Sequence, residues 1–154
     1  MHGRFPAADL LIVGSGNEET ALKSLAVQLG LQEAVRFAGH VGQPAVYFAG
    51  ASLVVLSSRH EGMPNALLEA VAGGLPVVAL PVSQGAVDLL RGQPGVWLAP
   101  EATVEDLANA LLAALQSLQP GQRFPHPFVE QFSLTRSIRA YEQLIDATIR
   151  ECQP

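Results

Sequence analysis

Five short, mainly apolar runs recur along the first two thirds of the chain, at residues 10–13, 35–38, 53–56, 77–80 and 96–99. None of them alternates polar with apolar positions. A strand with one face in water alternates in this way, whereas a strand covered by helices on both faces reads as a continuous apolar run. The pattern therefore predicts five parallel strands with both faces buried.

Stretches of helical period separate these runs. They predict helices over residues 18–29, 44–49, 65–72, 85–90 and 104–118. Asn17 and Thr103 are the expected N-caps of the first and the last of them. Strands that alternate with crossover helices are typical of an α/β fold. We predict a Rossmann-like, doubly wound parallel sheet of about five strands with flanking helices.

The C-terminal part of the chain follows a different pattern. Residues 119–128 hold three prolines and a glycine, which cannot continue a helix. After them, apolar positions at helical spacing predict a final helix that begins after Ser133. We expect a Rossmann-like domain over residues 1–118, a Pro/Gly-rich loop over 119–132, and a C-terminal helix over 133–154 that packs back on the domain.

Composition excludes several classes of protein for this chain. A chain of 154 residues, 49% hydrophobic and 15% charged, is expected to form one domain with a real core. The net charge of −5 and the scattered basic residues argue against nucleic acid as a partner. The single cysteine, Cys152, excludes an internal disulfide. No apolar run approaches the roughly 18 residues of a membrane span, so a soluble chain is expected, and the low cysteine content fits a reducing cytoplasm best.

Ligands of an open parallel sheet bind beyond the carboxyl ends of its strands. The first of these ends carries Gly14-Ser15-Gly16, the beginning of a dinucleotide-binding fingerprint. Glu19 stands where the third glycine is required, and Glu18 adds a second negative charge at the helix start. A tight turn is therefore favoured over a bound NAD-type cofactor.

The loop after the third strand has a different character. Gly62 frees the backbone and Pro64 suits the first turn of a helix, while no acid lies between Glu61 and Glu69. Free backbone amides of Asn65, Ala66 and Leu67 would then form a site for a diphosphate at the helix N-terminus.

Glu69 follows Asn65 by four residues, so its carboxylate lies about 6 Å further along the same helix face. A ribose diol spans that distance, and carboxylates accept hydrogen bonds from vicinal hydroxyls. The apolar neighbours of Glu69 predict a largely buried helix, in which a carboxylate needs a partner or a purpose. Glu61 lies on the other side of the phosphates, and pairing with Arg59 or His60 is its alternative role.

The stretch SSRHEGMPNALLEAVAGGLPVVA, preceded by LLIVGSG and VRFAGHV, resembles the C-terminal, donor-binding domain of GT-B fold glycosyltransferases of the family 4 type. The similarity runs from Leu10 to about Leu118. Glu61 and Glu69 are similar to the two acids of that family's E-x7-E motif, with Gly62 and Pro64 between them.

This resemblance implies a nucleotide-sugar-dependent retaining glycosyltransferase, present as its donor-binding half, with no metal or other cofactor at the donor site. Glu61, as the catalytic residue, would contact hydroxyls of the donor sugar or the charge that develops near the anomeric carbon, and Glu69 would hold the ribose. The implied donor-binding residues are Gly14, Gly16, His40, Val41, Gly62, Met63, Pro64, Asn65, Ala66, Leu67 and Glu69. A non-catalytic nucleotide-binding module of the same fold is the alternative.

The chain also departs from the family pattern. A central strand carrying Gly-Arg and a following Lys is expected before Leu10, and an N-terminal acceptor domain before that. The missing strand predicts either that residues 10–13 pair with residues 53–56 or that another chain fills the slot, for example by self-association. The missing acceptor domain, or another chain, is an expected partner. Asp88 stands where the family has a glutamate. Peripheral membrane association is expected only of the full enzyme.

Three other classes fit less well. A glycosidase would need Glu61 and Glu69 about 5 to 9.5 Å apart across a sugar cleft. A receiver-like regulatory domain would need acidic residues after the first strand. His2, His40, His60 and His126 lack the spacing of metal ligands.

Overall fold

In a computed structural model, residues 5–43 and 45–151 are described, and the chain folds into two compact units. The first unit ends at Gly50 and the second begins at Ala51. Each unit has its own parallel sheet. Residues 1–4, which include His2, lie outside the described residues.

The first unit contains β1 (Leu10–Val13), α1 (Glu19–Gln28), β2 (Val35–Gly39) and α2 (Ala45–Gly50). The strands β1 and β2 run parallel, with Leu10 opposite Val35. Asn17 does not cap α1, because Glu18 occupies the N-cap position and makes no side-chain capping bond. The predicted cap is wrong by one residue.

The side chains of β1 are more exposed than the apolar run predicts. Leu10, Leu11 and Val13 keep 47%, 42% and 39% of their surface in contact with solvent. The strand has β2 as its only ladder partner among the described residues, and β3 (Val54–Leu56) pairs with β4 (Val77–Ala79). The expected pairing of residues 10–13 with 53–56 is therefore not formed, and burial on both faces is wrong for β1.

The second unit continues from β3 with α3 (Asn65–Ala72), β4, α4 (Gln84–Leu90), β5 (Val96–Leu98) and α5 (Val104–Ser117). Its sheet has the parallel order β3-β4-β5, and all three residues of the central strand β4 are buried. The largest fully buried side chains are Leu67, Leu75, Leu90, Val71, Val77, Val78 and Pro76. The predicted α/β class with parallel strands and flanking helices is confirmed.

Thr103 caps α5 as its sequence predicts. Its Oγ1 accepts a hydrogen bond of 3.1 Å from the backbone N–H of Asp106. The bond satisfies one of the amides that have no partner inside the helix.

The segment after α5 is held against the second unit. The backbone N–H of Phe124 donates to the carbonyl of Gly74 at 2.8 Å, and Arg123 Nη2 donates to the carbonyl of Ala51 at 3.1 Å. A 3₁₀ helix, Pro127–Phe132, follows and leads into α6, Leu134–Glu151. This attachment fixes where residues 125–133 lie relative to α3.

Helix α6 is amphipathic, and its apolar side chains are exposed within the described part of the chain. Leu134 and Tyr141 are 76% and 69% exposed. Across residues 5–43 and 45–151, no helix has both the length and the apolar content that a membrane crossing needs.

Candidate functional site

The loop after β3 leads into the N-terminus of α3, where Pro64 is the N-cap with an extended backbone and Asn65 is the first helical residue. The carbonyl of Pro64 accepts from the N–H groups of Leu67 at 3.0 Å and Leu68 at 3.2 Å. The expectation that the Leu67 amide is free is therefore wrong. The amides of Asn65 and Ala66 have no acceptor among the described residues, and both residues are exposed.

Ser83 holds this loop in place. Its hydroxyl donates to the carbonyl of Gly62 at 3.0 Å and accepts from the N–H of Ala86 at 3.3 Å, as the N-cap of α4. Ser83 is not among the predicted site residues, although a serine directly before a predicted helix is an N-cap signal. The contact ties the backbone between Glu61 and Met63 to the adjacent crossover.

Helix α3 has one buried and one exposed face. Leu67, Ala70 and Val71 are buried, whereas Asn65 and Glu69 are exposed. Asn65 and Glu69 lie on one face of the helix, as their spacing predicts, but the prediction that Glu69 is buried is wrong. The helix packs on the sheet with only one face, and the carboxylate stays in contact with water.

Glu61 is exposed in the loop between Arg59 and Gly62. It forms no salt bridge in the part of the chain that the structure describes, so the alternative pairing with Arg59 or His60 is not observed. Asp88, on α4, accepts a hydrogen bond of 2.6 Å from Gln84 Nε2.

A cleft of about 760 Å³ lies between the exposed face of α3 and the segment after α5. Its lining residues are Asn65, Leu68, Glu69, Ala72, Pro125, His126, Pro127, Val129, Glu130, Phe132 and Ser133. The volume is within the range of small-ligand sites, which are mostly apolar with a few polar groups. Asn65 and Glu69, on the α3 wall, are among the predicted site residues, whereas no residue of the other wall is.

His126 is the buried polar residue of the second wall. It is 6% exposed, and its ring centroid lies 5.5 Å from that of Phe128. Neither ring nitrogen has a hydrogen-bond partner among the described residues. Burial lowers the pKa of His126 below its ordinary value of 6.5, because the charged imidazolium loses hydration.

Lowering the pH below about 6.5 is expected to destabilise the chain through His126. Below this pH the imidazole of His126 binds a proton more readily in the unfolded chain than in the folded chain. The free energy of unfolding therefore falls by at most about 1.4 kcal/mol for each unit by which the pH is lowered. This contribution is complete above the unfolded pKa and is lost as the pH falls. Glu69 of α3 and Glu130 of the 3₁₀ helix share the cleft and attract the imidazolium, which limits the loss.

Urea unfolding of the chain and of His126→Phe, each at about pH 7.5 and pH 5.5, measures this effect. The loss at the lower pH is expected to be smaller in the variant. An equal loss in both proteins would contradict the assignment to His126.

The remaining predicted site residues lie in the first unit. Gly14 has a φ of +132° that favours glycine, and its N–H donates to the carbonyl of Gly39 at 2.8 Å. With Gly16 it lines a shallow depression of about 270 Å³, together with Glu18 and Glu19. His40 is exposed and Val41 half-buried directly after β2. Of the predicted site residues, Gly14, Gly16, His40 and Val41 thus lie in the first unit, and the others lie in the second.

Known proteins are similar to this chain in sequence or in structure over most of its length. LpsE of Rhizobium meliloti, a lipopolysaccharide core biosynthesis glycosyltransferase, is 33% identical over 146 residues, which are 92% of this chain and 43% of LpsE. The GtfA subunit of the UDP-N-acetylglucosamine–peptide N-acetylglucosaminyltransferase of Streptococcus gordonii is 33% identical over 153 residues, 94% of this chain and 30% of the subunit. The crystal structure of a GtfA/B complex superposes with a TM-score of 0.76 at 27% identity, covering 95% of this chain and 31% of that one.

This chain spans less than half the length of each of these proteins. The family model for glycosyl transferases group 1 matches residues 2–117. This range includes Gly14 and Gly16 after β1, the loop from Glu61 to Pro64 and helix α3. A match over that much of the chain shows that it belongs to the glycosyl transferases group 1 family.

Proposed function

We propose that this chain binds the nucleoside diphosphate sugar that is the donor in a retaining glycosyl transfer. The observation that carries the proposal is the exposed face of α3. On this face Asn65 and Glu69 line one cleft, which begins at the N-terminus of the helix. Neither carboxylate of the predicted pair is tied up in a salt bridge within the described residues.

The diphosphate would bind at the start of α3. The amides of Asn65 and Ala66 are exposed and lack acceptors within the described residues, and the helix dipole adds partial positive charge at this end. Gly62 allows the loop backbone to approach the phosphates, and Ser83 holds its carbonyl away from them. The helix dipole offsets part of the diphosphate charge, and we propose no metal ion at this site.

The two glutamates would read different parts of the donor. Glu69 accepts hydrogen bonds from the ribose hydroxyls, one helical turn beyond the diphosphate. Glu61 lies on the loop before the helix and contacts the sugar. His40 and Val41 in the first unit would contact the base through their backbone.

The proposed chemistry breaks the bond between the anomeric carbon and the diphosphate oxygen. The acceptor hydroxyl oxygen bonds to that carbon on the same face, and its proton leaves with the nucleoside diphosphate. The carboxylate of Glu61 would stabilise the positive charge that develops at the anomeric carbon. The name of the Streptococcus gordonii relative, a subunit of a UDP-N-acetylglucosamine–peptide N-acetylglucosaminyltransferase, supports this substrate class.

We also propose what completes the active site and where the reaction takes place. An acceptor-binding domain, in the same protein or in another chain, would complete the active site, and a strand from it or from a second copy would cover the exposed side of β1. We place the reaction in the cytoplasm, with the full enzyme at the inner face of the membrane.

Titration calorimetry with UDP, GDP and ADP tests the donor site. At least one of them is expected to bind the chain and to bind Glu69→Ala about ten- to a hundredfold more weakly, because charge-assisted hydrogen bonds to the ribose are lost. Glu142→Ala removes an exposed glutamate in the middle of α6 and is the matched control. Equal affinity of the chain and Glu69→Ala for all three nucleotides would refute the proposal.

A further inference from the structure

The loop between β3 and α3, residues 57–63, is held by one hydrogen bond in the described part of the chain. The hydroxyl of Ser83 donates to the carbonyl of Gly62 at 3.0 Å, and no other group of the loop forms a hydrogen bond within the described residues. Gly62 is exposed and has no Cβ, so without this bond its backbone would have several accessible conformations. The orientation of the loop therefore depends on Ser83.

Ser83 itself is fixed by helix α4. It is the N-cap of this helix, and its Oγ accepts from the backbone N–H of Ala86 at 3.3 Å. Ala86, Val87 and Leu90 are buried and hold the helix in place. A serine hydroxyl has one proton to donate and lone pairs to accept, so it caps α4 and binds the loop at the same time.

The bond to Ser83 also sets the direction of the next amide. The peptide between Gly62 and Met63 is trans, and the C=O and N–H of a trans peptide point in opposite directions. Because the carbonyl is directed at Ser83, the N–H of Met63 is directed away from it. This N–H has no acceptor among the described residues, and Met63 is 39% exposed.

We propose that Ser83 is a positioning residue of the donor site, whose bond to Gly62 turns the N–H of Met63 toward the diphosphate. Met63 would then supply a third amide beside those of Asn65 and Ala66. The inference rests on the proposed function, since it concerns the same site. Met63 precedes α3, and the proposed ribose site lies further along this helix, so the phosphate at Met63 is the one farther from the ribose, the β-phosphate.

The experiment compares a nucleoside diphosphate with its monophosphate by calorimetry, using whichever of UDP, GDP and ADP binds the chain most tightly. Ser83→Ala loses both the bond to Gly62 and the cap, whereas Ser83→Gly loses the bond but keeps a residue that is tolerated as an N-cap. Ser83→Thr keeps the hydroxyl. Thr103→Ala is the matched control, because it removes the N-cap of α5, which has no bond to the loop.

Ser83→Ala and Ser83→Gly are expected to bind the diphosphate about tenfold more weakly, the effect of one hydrogen bond to a charged group, and to bind the monophosphate as the unmodified chain does. Ser83→Thr is expected to keep the affinity for both. Thermal unfolding gives a separate order, since Ser83→Ala and Thr103→Ala are expected to lower the Tm more than Ser83→Gly does. A loss of affinity shared by the Ala and Gly variants of Ser83 therefore follows the bond to Gly62 and not the stability of α4.

Two outcomes would overturn the inference. If Ser83→Gly keeps the full preference for the diphosphate, the bond to Gly62 does not position an amide for the β-phosphate. If Ser83→Gly weakens both nucleotides equally, or if Thr103→Ala lowers the preference as much, Ser83 acts only through the stability of the fold.

Glu69→Ala separates this inference from the proposed function. Its loss of the ribose contact is expected to weaken the diphosphate and the monophosphate by the same factor, because both contain the ribose. If Glu69→Ala has this effect and Ser83→Gly leaves the preference unchanged, only the role of Ser83 is wrong. If neither variant changes the affinity for either nucleotide, both proposals are refuted.

Discussion

Gly95→Ala is expected to destabilise the folded chain by about 3 kcal/mol. Gly95 has a φ of +73°, a conformation that costs an L-residue roughly 1 to 2 kcal/mol. A Cβ at this position would also overlap the ring of Phe124, and such overpacking costs about 1 to 3 kcal/mol more. Urea unfolding measures the difference in free energy.

Gly92→Ala is a matched control for this prediction. Its φ of +74° is nearly the same, but an added Cβ meets nothing within 4 Å. Only the backbone cost, about 1 to 2 kcal/mol, is expected there. Equal destabilisation by the two substitutions would show that Phe124 moves aside without cost. Because Phe124 precedes the second wall of the cleft, Gly95→Ala is also expected to weaken nucleotide binding, whereas Gly92→Ala is not.

Glu61→Ala is expected to weaken binding of a nucleotide sugar by about ten- to a hundredfold and to leave binding of the bare nucleoside diphosphate unchanged. A carboxylate that contacts only the sugar contributes one or two charge-assisted hydrogen bonds, each worth about 1.5 to 3 kcal/mol. Calorimetry with the best-binding nucleoside diphosphate and with its glucose and N-acetylglucosamine conjugates measures both affinities.

Glu69→Ala gives the contrasting result, because its proposed partner, the ribose, is present in all of these ligands. It is expected to weaken nucleotide and nucleotide sugar by the same factor. If Glu61→Ala weakens the bare nucleotide as strongly as its sugar conjugate, Glu61 does not contact the sugar, and the division of roles between the two glutamates is wrong.

The apolar runs predicted every strand, because continuous apolar runs bounded by turns have few other stable structures in a chain rich in crossover helices. Thr103 was predictable as a cap because its signal also lies within a few residues of the helix start. Burial was less predictable, because it depends on tertiary partners that periodicity does not reveal. The run at β1 reads like the run at β4, yet β4 is enclosed between two strands and β1 pairs with one.

In the candidate site, too, features set by residues close in sequence were predictable, and features set by residues far apart in sequence were not. Residues 61–69 are adjacent in sequence, so spacing alone predicted that Asn65 and Glu69 share a helix face. It did not predict that Glu69 is exposed, since its apolar neighbours occupy the opposite face. His126 is 57 positions from Glu69 by residue number. The two line one cleft only because Phe124 bonds to Gly74, a contact that no local pattern encodes.

Ser133 connects the cleft to the C-terminal helix. It lines the cleft, and its carbonyl accepts from the N–H of Ser137 at 2.9 Å in the first turn of α6. A shift of α6 would therefore move a residue that borders the cleft. Any protein surface that binds the apolar side of α6 and favours one position of it would change ligand affinity, and by thermodynamic linkage the ligand would change the affinity of that surface by the same factor.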